Sequence, residues 1–174
     1  ELVAAWTSRV RVPAMISSEH DSRGVTLLGV DPLGETALGF DSADVIEGRF
    51  LDGTGDRGIV IGKKLLQRLD TRVGKRVVLM SQDPENNIAD RGFRVVGVFE
   101  ADLESREDSI VYAGREVIQS MLGIGTDVSE IAVLAYDYRT PQALTARIRN
   151  AAGADNEVLS WLDLDPYLSA MMRV

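Results

Sequence analysis

Along its whole length the chain alternates short runs of Val, Ile and Leu with turn-forming residues, and that rhythm leaves little choice of fold class. Residues 10–16 and 24–30 read as two strands joined through the polar run Ser17 to Arg23. The second stops at Asp31-Pro32, because Pro has no N–H to give a ladder. Residues 41–50 read as a short strand or helical turn ending at Gly48-Arg49-Phe50. Further apolar runs at 58–62, 76–80, 93–99, 109–113 and 131–136 are strands by the same reading, and Glu157 to Trp161 makes a last short one.

Few helices interrupt them. Lys63 to Leu69 puts Leu65, Leu66 and Leu69 on one face, and Arg115 to Leu122 does the same with Val117, Ile118, Met121 and Leu122. The best-marked helix has Thr140 as N-cap, Pro141 at the first helical position and Gly153 past the end, with Leu144 and Ile148 on its apolar side. Asp165-Pro166 opens a final helix carrying Tyr167, Leu168, Met171 and Met172. Strands with scattered helices predict an α+β fold. We expect the middle, 40–126, to form a β-rich subdomain, and the two ends, 1–39 and 127–174, to pair into an α/β subdomain.

Composition narrows the function. Aromatic residues are 6% of 174, so the core rests on aliphatic side chains, and stacking platforms for sugars or single strands are not expected. The net charge of −8 repels phosphate backbones, which excludes a nucleic-acid partner. The absence of cysteine removes disulfides, thiol nucleophiles and Cys-based zinc sites. No run approaches the roughly 18 apolar residues of a membrane span. The chain opens on Glu1-Leu2-Val3 without Met and closes on Met171-Met172-Arg173-Val174, so both ends read as cuts in a longer polypeptide.

Several motifs mimic chemistry. Gly53-Thr54-Gly55-Asp56-Arg57-Gly58 matches G-x-G-x-x-G, but a dinucleotide site needs that run after a strand and opening a helix. Here it precedes a strand, so a turn is expected. Gly58 to Lys64 resembles a phosphate loop one residue short, with Lys64 where a metal-binding hydroxyl belongs. The single histidine, His20, sits in a turn between Glu19 and Asp21, where Ser17, Ser18 or Ser22 cannot form a triad with it through sequence proximity alone. Asp83/Glu85, Glu104/Glu107/Asp108 and Asp163/Asp165 lack calcium-loop spacing and read as solvated loop charge. No catalytic residue, cofactor site or metal site is expected.

A collinear set of segments points elsewhere: Leu28-Gly29-Val30-Asp31-Pro32 with Glu35, Glu47-Gly48-Arg49-Phe50, Ile59 to Leu65, Val73 to Val77, Phe93 to Phe99, and Ile110-Val111-Tyr112. Together they resemble the periplasmic domain of MacB-like and lipoprotein-releasing (LolC/LolE-type) ABC-transporter permeases, the FtsX-like group. The resemblance implies a porter-like α/β subdomain and a sabre-like β-rich one outside the inner membrane. It implies no active site. It also implies a cytoplasmic ATP-binding subunit, a second permease copy or homologue, and a periplasmic carrier or lipoprotein as partners. Lipoprotein-releasing permeases carry a long hook between the strands that correspond to Val77 and Val95. Here the connection from Ser81 to Arg91 is shorter and polar. Its tip is the expected partner-binding surface, with Asp83, Pro84, Glu85, Asn86, Asn87, Ile88 and Arg91, because binding residues collect on exposed loops. A secreted hydrolase using His20 or the acidic loops, and a scaffold binding through strand edges, are the alternatives.

Overall fold

The fold is that of a computed structural model, which describes residues 3–39, 44–101, 104–136, 141–160 and 163. Among the described residues eight strands and five helices follow one another as β1 (Val3–Ser17), β2 (Ser22–Val30), α1 (Pro32–Ala37), β3 (Val45–Gly48), β4 (Gly58–Gly62), α2 (Lys63–Arg68), β5 (Arg76–Gln82), β6 (Ile88–Phe99), α3 (Glu104–Ser109), β7 (Ile110–Gly114), α4 (Arg115–Leu122), β8 (Glu130–Ala135) and α5 (Pro141–Ala152). The α+β class holds. The chain groups into two compact units, Trp6–Ala132 and the two ends, Glu1–Ala5 with Val133–Val174.

The larger unit is built on a closed sheet. Its strands run β2-β7-β4-β6-β5-β1, and the β1–β2 hairpin joins the first to the last. The ring is mixed: β2–β7 and β4–β6 are parallel, the remaining pairs antiparallel. Closure gives each ring strand two neighbours over part of its length, although β5 meets β1 only at Val78–Met80 and Ile88–Phe93 of β6 pair with β5 alone among the described strands. Side chains alternate with period two. Val10 and Ile16, Val25 and Leu27, Ile59 and Ile61, Val77 and Leu79, Phe93 and Val95, and Val111 and Ala113 all enter one buried cluster. Leu65 and Leu69 at α2, and Ile118 and Leu122 of α4, join it from the helices.

A second cluster lies on the other side of β4 and β7. Leu28, Val30, Val60, Phe99 and Tyr112 pack there with Leu51, and Phe50 packs against the group. Tyr112 meets Phe50 and Phe99 edge-on, with ring centroids 5.8 and 5.4 Å apart. Having apolar partners on both faces, β4 is buried throughout. That is why its sequence is a continuous apolar run rather than an alternating one. The register of β6 slips at this point. Ile59 faces Val95 while Val60 faces Gly97, leaving Val96 as a bulge. Gly97 is required there because a Cβ would lie 2.0 Å from the Arg49 carbonyl oxygen.

Two local expectations change. Asp31-Pro32 ends β2 as expected, but it also starts α1: the Asp31 carboxylate accepts from the Leu33 amide and Pro32 fills the first helical turn. The connection Ser81 to Arg91 is mostly ladder rather than loop, since Gln82 pairs with Ile88 and Leu79 with Arg91. The sequence places its divisions at 39/40 and 126/127, whereas the compact units divide at Ala5/Trp6 and Ala132/Val133. The reason is the length of β1 and β2. Their hairpin pairs onward with β5 and β7, so it becomes part of the central sheet.

In the smaller unit α5 ends before Gly153, whose φ of 79° lies in the left-handed region that glycine adopts freely. Beyond it Glu157–Ser160 form no strand. Arg149 instead donates to the Val158 carbonyl, and Asp163 caps the Ser160 amide. Thr140, Trp161 and the final helix expected from Asp165 lie outside the described residues. Among the described residues no helix is long and apolar enough to cross a membrane.

Candidate functional site

The expected contact residues lie on the β5–β6 hairpin. Seven directly opposed pairs carry it from Arg76↔Arg94 to Gln82↔Ile88. Five residues, Asp83 to Asn87, make the tip. Asp83 organises it: one carboxylate oxygen accepts from the Glu85 and Asn87 amides at 3.0 and 2.8 Å. The Asp83 amide donates to the Asn87 carbonyl, and the Asn86 amide to the Asp83 carbonyl. Asn86 takes φ of 64°, a conformation that Asn tolerates better than most residues. The tip is thus a self-bonded turn with Pro84, Glu85, Asn86 and Asn87 exposed.

Ile88 stands beside it, 69% exposed. Arg91 does not join this group. It is further down the ladder, and its guanidinium donates to the Val117 carbonyl of α4. The structure therefore brings Asp83 to Ile88 together and sets Arg91 apart.

Period-two alternation on β5 sends Val77, Leu79 and Ser81 inward and leaves Arg76, Val78, Met80 and Gln82 outside. Met15 of β1 lies directly opposite Met80, and both are exposed. At the base of the hairpin Arg76 and Arg94 oppose each other, and the Arg94 guanidinium donates to the Gly74 carbonyl at 2.6 Å. This outer face was not legible as a site in the sequence. Val77 to Met80 reads as one apolar run, and only the register separates its two sides. Arg72 and Arg76 also line a shallow cleft with Glu19, His20 and Asp70. His20 is 3.9 Å from the Asp70 carboxylate, with both side chains mostly exposed.

The motifs that mimic chemistry are structural. In the Gly53–Gly58 loop the Asp56 carboxylate accepts from Arg49 at 2.6 Å and from the Asp52 and Gly58 amides. Burial pushes this carboxyl up, but the bonds from Arg49 and the two amides hold it below the usual carboxylate value. The loop's Thr54 carbonyl receives the Glu116 amide at the start of α4. Gly58 is required because a Cβ would press on the Val96 side chain at 2.4 Å.

Glu35 is buried and held by Arg9 through two bonds of 2.5 and 2.8 Å. Arg9 also reaches Glu130, which pairs with Arg11. Burial acts to lower the Arg9 guanidinium, but its bond to Glu35 and the nearby charges of Glu35 and Glu130 raise it above its ordinary value. Of the Glu104/Glu107/Asp108 set, Glu107 caps the Ala101 amide and Asp108 pairs with Arg68 at 3.2 Å. Among the described residues no group of His, Asp or Glu could hold a metal ion.

Comparison with known proteins agrees with this architecture. The model of the MacB-like periplasmic core domain matches residues 1–151. No curated protein matches the chain. The extracellular domain of the ABC-type transporter YknZ from Gram-positive bacteria is similar with a TM-score of 0.62 and 19% identity, over 86% of this chain and 76% of that one. A domain of a permease protein from Porphyromonas gingivalis gives a TM-score of 0.51 and 17% identity, over 98% and 82%. At these identities the likeness is one of fold. The family match covers most of the chain, and the chain belongs to the MacB-like periplasmic core domain family.

Proposed function

We propose that this chain is the extracytoplasmic domain of an ABC-transporter permease, without an active site of its own. In this reading it stands on the periplasmic side of the inner membrane and relays ATP-driven motion to the export or release of a lipoprotein, peptide or other substrate. The observation that carries the proposal is the family match over residues 1–151. The barrel supports it physically. A closed sheet with a packed interior deforms little, so a displacement applied at one place is carried through the unit.

In this reading the two chain ends, 1–39 and 127–174, make a porter-like part and the middle, 40–126, a sabre-like part. The partners are a cytoplasmic ATP-binding subunit, a second permease copy or homologue, and a periplasmic carrier or lipoprotein. Contact with that last partner falls on the hairpin, at Asp83 to Ile88 and along the flank that carries Arg91. The test is purification of the full-length gene product in detergent. An ATP-binding subunit should copurify, and flanking segments of about 20 apolar residues should be present. A full-length product without such segments overturns the reading.

A further inference from the structure

The outer face of the β5–β6 hairpin has a chemistry that its tip does not share. At its base, four cationic residues are drawn together by backbone pairing. Arg76 and Arg94 are directly opposed, and the turn before β5 carries Arg72 and Lys75, with the Lys75 amide bonded to the Arg72 carbonyl. All four are exposed. Among the described residues, no carboxylate forms an ion pair with any of them, although Arg9, Arg11, Arg23, Arg49, Lys63 and Arg68 all have one. Like charges directly opposite in an antiparallel pair are unfavourable. Glu19 and Asp70 line the same cleft as Arg72, Lys75 and Arg76 without an ion pair to any of them, so the repulsion is offset only at longer range.

Next to the cations the same face is apolar. Val78 follows Arg76 on the outer side of β5, then Met80, with Met15 opposite Met80. A Cβ built on Gly92 would lie 2.4 Å from Arg76 nitrogens, so the Arg76 side chain lies over Gly92, beside Val78. One carboxylate, Asp90, stands on this face, opposite Met80. Around Val78 to Met80, β5 is paired on both sides, to β6 and to β1, so at this point a ligand is read by side chains rather than added as a further strand.

We infer that this face is a docking surface for a partner protein that presents carboxylates beside aliphatic side chains. The carboxylates meet Arg72, Lys75, Arg76 and Arg94, and the aliphatic groups cover Val78, Met80 and Met15. Charge complementarity selects the occupant. A cationic patch on a chain of net charge −8 attracts an acidic protein segment at short range, whereas the whole domain is repelled by an extended anionic bilayer. The inference rests on the reading that this domain engages a periplasmic protein, and it extends the contact from the tip to the base and flank of the hairpin.

The probe is a short fluorescent peptide of alternating Glu and Leu, titrated onto this chain and followed by anisotropy. Control peptides alternate Glu with Ser and Lys with Leu. The Glu-Leu peptide should bind at least about tenfold more tightly than either control. Its affinity should fall by a similar factor in Arg76→Gln/Arg94→Gln and in Val78→Ser/Met80→Ser, and should fall as salt is raised. Asp155→Asn, exposed and far along the chain from the hairpin, should leave it unchanged. Each variant's melting temperature, read by circular dichroism, is expected to match that of the parent chain. A parallel flotation with vesicles of phosphatidylglycerol and phosphatidylcholine should leave the chain unbound. Equal binding by the double variants, no preference among the peptides, or flotation with the vesicles overturns the inference. None of these outcomes depends on copurification of an ATP-binding subunit, so the two readings fail separately.

Discussion

At the level of single residues, most of the signature positions are spent on architecture. Glu35 is the clearest case. A carboxylate this buried is tolerated because Arg9 binds it with two parallel bonds, and removing one partner strands the other. Glu35→Ala should lower stability by about 2–3 kcal/mol, less than for a fully dry pair because Arg9 retains some exposure. Joint replacement, Arg9→Met with Glu35→Leu, should cost less than the single change. Urea unfolding of the three chains decides this.

Asp56 gives a pH signature. Its folded pKa lies below its unfolded value, so its contribution is fully present above the unfolded value and is lost as pH falls through the folded one. Asp56→Asn should therefore lower stability at neutral pH and flatten the acid limb of the stability profile. Denaturation midpoints measured from neutral pH down to strong acid would show it. The sequence identified the Gly53–Gly58 loop as a turn, but gave no sign that Asp56 holds it to Arg49.

At the level of elements, the periodicities were legible and the pairings were not. Lys63–Arg68 and Arg115–Leu122 are the helices that their apolar spacing predicts, and Gly58–Gly62 is the strand. α1 gives no periodic signal because its buried side chains are Pro32 and Glu35 rather than an aliphatic stripe, although Asp31-Pro32 carries a cap signal. Barrel closure was missed because it depends on Met15 meeting Met80 and Leu28 meeting Tyr112, contacts that no local pattern encodes. The outer face of β5 was missed for the same reason, since its exposure follows from register.

The bulge at Val96 supplies a test at this scale. Gly97→Ala places a methyl against the Arg49 carbonyl and should cost about 3 kcal/mol or more. Gly53→Ala, in the neighbouring loop, meets nothing within 4 Å and should change stability by less than about 0.5 kcal/mol. Thermal melts of the two variants should differ accordingly.

For the whole molecule, the proposed relay requires the barrel unit of this MacB-like periplasmic domain to move as a rigid body when the permease turns over. This chain contains no cysteine, so the domain itself adds no background label once any cysteine elsewhere in the permease is replaced. The most direct measurement is electron–electron distance spectroscopy on the full-length permease in nanodiscs, with and without ATP and vanadate. One sample carries labels at Arg23→Cys and Glu85→Cys within the barrel unit, and another carries Glu85→Cys alone in each of two permease copies. The account predicts that the distance within the barrel stays fixed while the distance between copies shifts by more than about 2 Å on nucleotide binding. A barrel distance that changes with nucleotide, or a distance between copies that does not, contradicts it.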